Sequence, residues 1–410
     1  MNLDWIVVVA FVAVYVGMAM GRWPWLAVDR TGVALIGAIF LFLTGAVDAG
    51  DAVNAIDFPT LTILFALMVL SAQFAASGFF EWTATAIAGA DAAPRTLLML
   101  VIAIAAGLAA VLTNDVVVWA MTPVLVRGLM RRGLDARPFV IALVAAANAG
   151  SAATIIGNPQ NLLIAQVGRL EFWPFALVCV GPAVLSLAIV YGITAWTWRD
   201  GLRARDGAPD ATSPPLDRPA LVKGVAAAAA MIVVFTLSAD PVPWVLAIAG
   251  ALLLSRRHST RKMMSMVDWH LLLLFAALFI VTGALSRTPL AGDAIARLRG
   301  IGFDLRDLGP LLAVSLAGSN TIGNVPMVTL LLSLGVDFGR DGFYALALFS
   351  TLSGNFLIVG SIANIIAVER AGREGVAVSF ADYARTGVPA TLLSLAAGYL
   401  WLRLVLPAAG

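Results

Sequence analysis

Cysteine, histidine and charge are all scarce in this chain. One cysteine, Cys179, and two histidines stand among 410 residues. A single cysteine excludes an internal disulfide and a thiolate cluster that would hold a metal ion. Charged residues make up 12% of the chain and the net charge is +2, so nucleic acid gains no electrostatic support as a partner. We therefore expect no bound metal and no cofactor.

Apolar residues dominate instead. Hydrophobic residues are 61% of the sequence, and the mean hydropathy of +0.94 lies far above that of a soluble domain. About ten apolar runs approach the ~20 residues that a helix needs to cross the hydrocarbon core. Residues 1–20 lack a basic region and a cleavage site, which predicts a retained first span. The sequence indicates an all-α polytopic protein of a bacterial-type inner (plasma) membrane, with the lipid bilayer as its surroundings.

Two stretches combine apolar arms with a polar tip. Val111–Pro123 places Asn114 and Asp115 in the middle of a long apolar region, and Gly318–Leu330 carries a second polar group. Polar side chains survive at membrane depth only where protein or a water-filled cavity surrounds them. We predict two re-entrant hairpins, over 96–129 and 308–334. The alignment of their tips stays open at this stage, because Asn114 can correspond to Asn320 or to Asn324.

Two further apolar segments are interrupted near their centres. The segment 139–167 contains the sequence GNPQN at Gly157–Asn161, and 343–368 contains Gly354-Asn355 and Gly360-Ser361. Proline, glycine and amide side chains together free backbone groups, as in the unwound helices that line transporter cavities. Both segments are therefore predicted to be broken spans.

The order of these elements is the same in both halves. Residues 1–198 and 221–410 each contain three spans, an interfacial helix, a hairpin, a broken span and a final span, joined by a polar cytoplasmic linker over 199–220. An odd number of crossings before the linker turns the halves in opposite directions, which predicts two inverted repeats. With the N-terminus outside, most lysines and arginines fall on the cytoplasmic side, as the positive-inside rule requires.

Broken helices expose N–H groups and a partial positive charge, which suit an anion or an oxygen-rich neutral solute. The tips and breaks contain amides and hydroxyls but no lysine or arginine, so a dianion there would lack a countercharge. Asp115 can carry a proton or ligate Na⁺, and we assign it to the coupling ion. The predicted substrate-binding residues are Thr113, Asn114, Gly157, Asn158, Gln160, Asn161, Ser319, Asn320, Thr321, Asn324, Asn355, Ser361 and Asn364.

Several of these motifs resemble those of the ion transporter superfamily, in its branch of arsenite permeases and citrate-transporter-like proteins. The resemblance spans nearly the whole chain and rests on SGFFEW at Ser77–Trp82, Thr-Asn-Asp at Thr113–Asp115 and Asn-x-Pro at Asn324–Pro326. Ser319–Thr321 is similar to the Ser-Asn-Thr tip of sodium-coupled dicarboxylate symporters, whereas the first tip departs from it. The resemblance implies a rigid scaffold, a mobile domain with both hairpins and both broken spans, an elevator-like movement and, as in some relatives, a homodimer.

We therefore expect a secondary active transporter of a small oxyanion or metalloid, such as arsenite or antimonite, coupled to H⁺ or Na⁺. With one cysteine, arsenic would be recognised through oxygen. A sodium-coupled symporter of citrate, dicarboxylate or another anion is the first alternative, and a Na⁺/H⁺ antiporter is the second. An intramembrane hydrolase needs a nucleophile with a base, or two carboxylates, at membrane depth. The sequence places only Asp115 there, so we do not expect an enzyme.

Overall fold

The structure, a computed structural model, describes residues 3–21, 27–202 and 214–406. These ranges contain twenty α-helices and no β-strand, which confirms the predicted all-α class. Half of the predicted linker, residues 203–213, lies outside the described residues.

The helices of the first half are α1 (Leu3–Met20), α2 (Arg30–Leu43), α3 (Ala49–Ala55), α4 (Phe58–Ala76), α5 (Phe79–Gly89), α6 (Pro94–Val111), α7 (Asn114–Arg131), α8 (Arg137–Ser151), α9 (Pro159–Gly168) and α10 (Phe172–Thr197). Those of the second half are α11 (Arg218–Leu237), α12 (Val242–Leu253), α13 (Thr260–Met264), α14 (Trp269–Ser286), α15 (Pro289–Gly300), α16 (Leu308–Thr321), α17 (Asn324–Ser333), α18 (Gly339–Ser353), α19 (Ile362–Arg373) and α20 (Phe380–Val405). The series α4 to α10 and α14 to α20 run in the same order of long, short, paired, broken and long helices. Their inverted relation stays a prediction.

Seven helices in the described ranges are long and apolar enough to cross a membrane, namely α1, α4, α6, α10, α11, α14 and α20. Three shorter apolar helices, α2, α12 and α17, join them. A helix of about 20 apolar residues spans the hydrocarbon core. The chain is therefore a multi-pass membrane protein by the length and composition of its helices.

Three of the long helices, α4, α11 and α14, begin at a capping aspartate. Asp57 accepts a hydrogen bond from the Thr60 amide at 3.0 Å before α4, and Asp268 accepts one from the Leu271 amide at 3.0 Å before α14. Such caps satisfy amide groups that the first helical turn leaves unpaired. They set the starting points of α4 and α14 and leave one carboxylate at the beginning of each helix.

The first helices of the two broken pairs form the centre of the molecule. Side chains of α8 are buried from Pro138 to Ser151, and those of α18 are buried from Tyr344 to Ser353. α6 packs on α8, and α16 packs on α18. At the first contact a Cβ added to Gly150 would lie 2.4 Å from the Ala106 Cα, so small residues allow the backbones to approach closely.

Six further helices form a second group beside this centre. α2 packs on α14 and α1, and α4 packs on α11 and α12. Contacts of α4 with α9 and of α14 with α17 connect this group to the hairpins and breaks. We call α1, α2, α4, α11, α12 and α14 the outer group. The helices α1, α2, α11 and α12 carry exposed apolar side chains that suit a lipid environment, whereas most side chains of α4 and α14 are buried.

Candidate functional site

The two hairpins turn at corresponding points. α6 ends at Val111 and α7 begins at Asn114, whereas α16 ends at Thr321 and α17 begins at Asn324. Asn114 and Asn324 therefore both open a second arm, which decides the alignment that the sequence left open. The second tip is shorter than predicted, because residues 319–321 belong to the last turn of α16. The chain turns at Gly323, whose φ of +96° favours glycine.

The two breaks contain the same pattern of hydrogen bonds. In each break an asparagine donates from Nδ2 to the backbone carbonyls 10 and 7 residues before it. The distances are 3.2 and 3.1 Å for Asn161 and 2.6 and 2.9 Å for Asn364. These carbonyls lie at or beyond the C-terminal ends of α8 and α18, where a helix has no partner for them. The amides of Asn161 and Asn364 thus stabilise the unwound segments, while their contact with a substrate stays a prediction.

A glycine lies four residues before each of these asparagines, Gly157 before Asn161 and Gly360 before Asn364, because a side chain there would collide with neighbouring atoms. A Cβ at Gly157 would lie 2.5 Å from the Ser151 carbonyl oxygen, and one at Gly360 would lie 2.5 Å from Asn320 Oδ1. Gly157 also accepts a hydrogen bond at 3.2 Å from the backbone N–H of Asn114. The first break and the first hairpin tip are therefore in direct contact.

Each break is also bound by a side chain from the other half of the chain. Asn161 Oδ1 accepts from Thr351 Oγ1 at 3.0 Å, and Asn364 Oδ1 accepts from Asn148 Nδ2 at 3.0 Å. The two broken segments consequently meet, as the sequence predicted for a site between the halves.

Asn148 lies at the centre of this meeting point. Its Oδ1 accepts from Asn114 Nδ2 at 2.9 Å and from Ser361 Oγ at 3.4 Å. Its Nδ2 donates to Asn355 Oδ1 at 2.8 Å as well as to Asn364. Asn148 was not among the predicted binding residues. Its only signal in the sequence is that it is a single amide in the alanine-rich segment before the first break. Such an amide is also typical of an ordinary hydrogen bond between membrane helices.

Other predicted residues complete the surroundings of the first break. Asn158 caps α9 by accepting from the Asn161 amide at 2.8 Å, and its Nδ2 lies 3.0 Å from Ser151 Oγ. Gln160 Nε2 donates to Thr351 Oγ1 at 3.3 Å. All of these side chains are buried.

In the second hairpin the three predicted binding residues of α16 have different surroundings. Asn320 donates to the Ser353 carbonyl at 2.9 Å and accepts from the Leu357 amide at 3.1 Å, so it joins the second break. Ser319 Oγ donates weakly, at 3.4 Å, to the Ser350 carbonyl. Thr321 is exposed, and its hydroxyl donates to carbonyls of its own helix. The structure does not bring Thr321 to the amide cluster.

A cavity of about 230 Å³ reaches the first hairpin tip. Thr113 and Asp115 line it from the hairpin, Pro159 lines it from the first break, and Asp268 lines it from the start of α14. Thr113 Oγ1 also lies 3.2 Å from Ser71 Oγ on α4. Asp115 is therefore accompanied by a second carboxylate, which sequence reasoning missed because Asp268 reads as a helix cap in a polar loop.

The second hairpin tip has different neighbours. Tyr15 Oη on α1 donates to the Pro326 carbonyl at 3.1 Å. Arg30 Nη1, at the start of α2, lies 3.5 Å from the position that a Cβ on Gly323 would take. The tip sequence itself contains no cation, yet the fold brings one to it from a distant helix.

One buried acceptor at the first tip has no partner. Asn114 Oδ1 makes no hydrogen bond to any described residue, although the side chain is buried. Thr113 and Asp115, on either side of Asn114 in the chain, both line the cavity. A buried polar atom without a partner is costly and calls for an explanation, such as a ligand that donates to it.

Three comparisons relate this chain to known proteins. A family model described as "Citrate transporter" matches residues 15–341. An uncharacterized transporter of Mycobacterium tuberculosis is 32% identical, with 97% of this chain and 98% of that protein covered. A silicon efflux transporter of Oryza sativa subsp. japonica is 26% identical, with 92% of each chain covered. The crystal structure of the Alcanivorax borkumensis YdaH transporter has a TM-score of 0.56 at 13% identity and covers 98% of this chain and 97% of its own, so the fold is shared.

Proposed function

Because this chain belongs to the citrate transporter family (CitMHS) of the ion transporter superfamily, and so is a membrane transporter, we propose that it is a secondary active transporter of a small oxyanion or metalloid. Arsenite and antimonite are the representative substrates, and the inner membrane is the proposed location. The proposed site lies where the first hairpin tip meets the two breaks.

The observation that carries this proposal is the uncharged amide cluster formed by Asn114, Asn148, Asn355 and Asn364. Its members are buried and bond to one another through side-chain amides. Burying a multiply charged anion without a paired cation costs much more free energy than burying a neutral hydroxide, which amides can satisfy by hydrogen bonds. Arsenous acid near neutral pH is such a hydroxide.

The cavity supports the same choice. Asp115 and Asp268 line it together, so an approaching anion meets two carboxylates before it reaches the amides. A neutral solute meets no such barrier, and a proton or Na⁺ is attracted. The relative named as a silicon efflux transporter fits this chemistry, because silicon dissolves in water at neutral pH mainly as an uncharged hydroxide.

The two groups of helices suggest how transport proceeds. The hairpins and breaks pack around α8 and α18, whereas the helices of the outer group pack mainly on one another and touch the first group where α4 meets α9 and α14 meets α17. In the proposed elevator mechanism the first group moves against the second and carries the site across the membrane. Asp115 lies on the moving group, whereas Asp268 lies just before α14 of the outer group. Proton or Na⁺ binding at Asp115 would therefore depend on the position of the moving group.

Two alternatives each have one supporting observation. Arg30 beside the second tip provides a positive charge, which favours a sodium-coupled symporter of citrate or another anion. The carboxylates of Asp115 and Asp268 around one cavity favour a Na⁺/H⁺ antiporter.

Ligand-induced thermal stabilisation of the purified protein tests the proposal. Arsenite, antimonite, sulfate, citrate and succinate are each added with and without Na⁺ to the wild type and to Asn114→Ala. We expect arsenite or antimonite to stabilise the wild type and not the variant. Asn54→Ala, which removes an exposed amide, is the matched control and should behave like the wild type.

A sodium-dependent shift with a carboxylate would contradict the proposal in favour of the symporter. The absence of any shift, together with Na⁺/H⁺ exchange in proteoliposomes, would support the antiporter. Arsenite flux in the same vesicles under an imposed proton or sodium gradient identifies the coupling ion.

A further inference from the structure

The orientation of the Asn114 amide is determined by a chain of hydrogen bonds that begins at the backbone. Asn355 Nδ2 donates to the Ala145 carbonyl at 3.0 Å, and Asn364 Nδ2 donates to the Gly354 carbonyl at 2.6 Å. An amide has donors on one side and an acceptor on the other. Both Oδ1 atoms must therefore point away from these carbonyls, and both point to Asn148.

Two acceptors facing one side chain determine its orientation in turn. Asn148 can satisfy Asn355 and Asn364 only with its Nδ2 group, so its Oδ1 faces Asn114. Asn114 must then present Nδ2 to Asn148. Its Oδ1 is left pointing elsewhere, buried and without a partner among the described residues.

We infer that Asn148 is a positioning residue that holds Asn114 with its carbonyl oxygen free, so that the site selects a substrate form that donates a hydroxyl proton. The inference rests on the proposed function and deepens it. It specifies an uncharged hydroxide, in its protonated form, and excludes anions that can only accept hydrogen bonds.

The chain of hydrogen bonds runs in one direction, from Asn355 and Asn364 through Asn148 to Asn114, because each amide has its donors on one side and its acceptor on the other. A hydroxyl group on the substrate satisfies Asn114 Oδ1, whereas a carboxylate or sulfate oxygen placed there would face another acceptor. An unpaired buried acceptor and a repulsive contact both reduce affinity, and either effect discriminates between solutes of similar size.

Binding measured by calorimetry on the purified full-length protein at neutral pH tests the inference. The ligands are arsenite, which is a neutral hydroxide at this pH, and nitrate and sulfate, which have no hydroxyl donor. The proteins are the wild type, Asn148→Ala and Asn355→Ala. Ser186→Ala is a control that removes another buried side-chain hydrogen bond, the 2.9 Å contact with Ser394 between α10 and α20.

We expect Asn148→Ala to weaken arsenite binding about tenfold or more, because the Asn114 amide can then rotate and the acceptor is no longer held in place. Affinity for nitrate and sulfate should stay the same or rise, so the preference for arsenite shrinks. Asn355→Ala should shrink it less, since Asn364 still orients Asn148. Ser186→Ala should leave the preference unchanged.

Equal weakening of all three ligands by Asn148→Ala would show a merely structural role and overturn the inference. If that variant fails to fold, an unchanged preference in Asn355→Ala overturns it instead. A wild type that binds arsenite but prefers nitrate or sulfate also overturns it while leaving a transporter of oxyanions. A wild type that does not bind arsenite or antimonite refutes the proposed substrate itself, which is visible before any variant is made.

Discussion

Asn161 and Asn364 should contribute equally to stability, although they lie in different halves of the chain. Each donates twice to backbone carbonyls, and each accepts one hydrogen bond from a side chain of the other half. A hydrogen bond contributes a net ~1 kcal/mol, so replacing either asparagine by alanine removes about 3 kcal/mol of unfolding free energy. The perturbation is matched in residue type, in number of bonds and in burial.

The assay is denaturant titration of the protein in detergent micelles, followed by tryptophan fluorescence. Asn161→Ala and Asn364→Ala should lower the free energy of unfolding by amounts that agree within about 1 kcal/mol. Asn54→Ala, at an exposed amide, should change it by less than about 0.5 kcal/mol. If one of the two variants resembled Asn54→Ala while the other lost about 3 kcal/mol, the equivalence of the two breaks would be refuted.

Three further predictions concern single positions. Gly157→Ala should abolish folding or transport because its Cβ would meet a backbone oxygen, whereas Gly107→Ala, with nothing within 4 Å, should be tolerated; expression and thermal stability distinguish them. Asp268→Asn keeps a good helix cap but removes a cavity charge, so vesicle uptake of sulfate should rise relative to arsenite, and an unchanged ratio would contradict this. Hydrogen bonds from Arg306 lower the pKa of Asp304 to about 2. The resulting stability is present above the ordinary pKa of aspartate and is lost as the pH falls towards about 2. The free energy of unfolding should therefore fall less steeply at acid pH in Asp304→Asn than in the wild type.

The sequence predicted those features of the fold that depend on local pattern. Apolar runs of membrane length indicated the helices, and Pro159 with its neighbouring glycine and amides indicated the first break. The boundary at the second tip was less accurate. Ser319, Asn320 and Thr321 are polar, but they remain helical until Gly323 allows the turn.

The parts of the site that escaped prediction are those created by packing between distant segments. Asn148 becomes central only because Asn355 and Asn364 approach it from the other half. Asp268 faces the same cavity as Asp115 although more than a hundred residues separate them in the chain. The spacing of residues within a short segment does not predict such long-range contacts. A lone amide or a capping carboxylate is also common in membrane helices, so neither residue stands out.

The hydrogen bond from Tyr15 to the Pro326 carbonyl joins α1 to the second hairpin across 311 residues of sequence. If the hairpin moves during transport, this bond must break and re-form in every cycle. Its net value of ~1 kcal/mol corresponds to about a fivefold bias between two positions of the hairpin. Such a bias gives the carrier a resting state without trapping it there. A contact between α1 and the hairpin as strong as a buried ion pair would instead lower the turnover number.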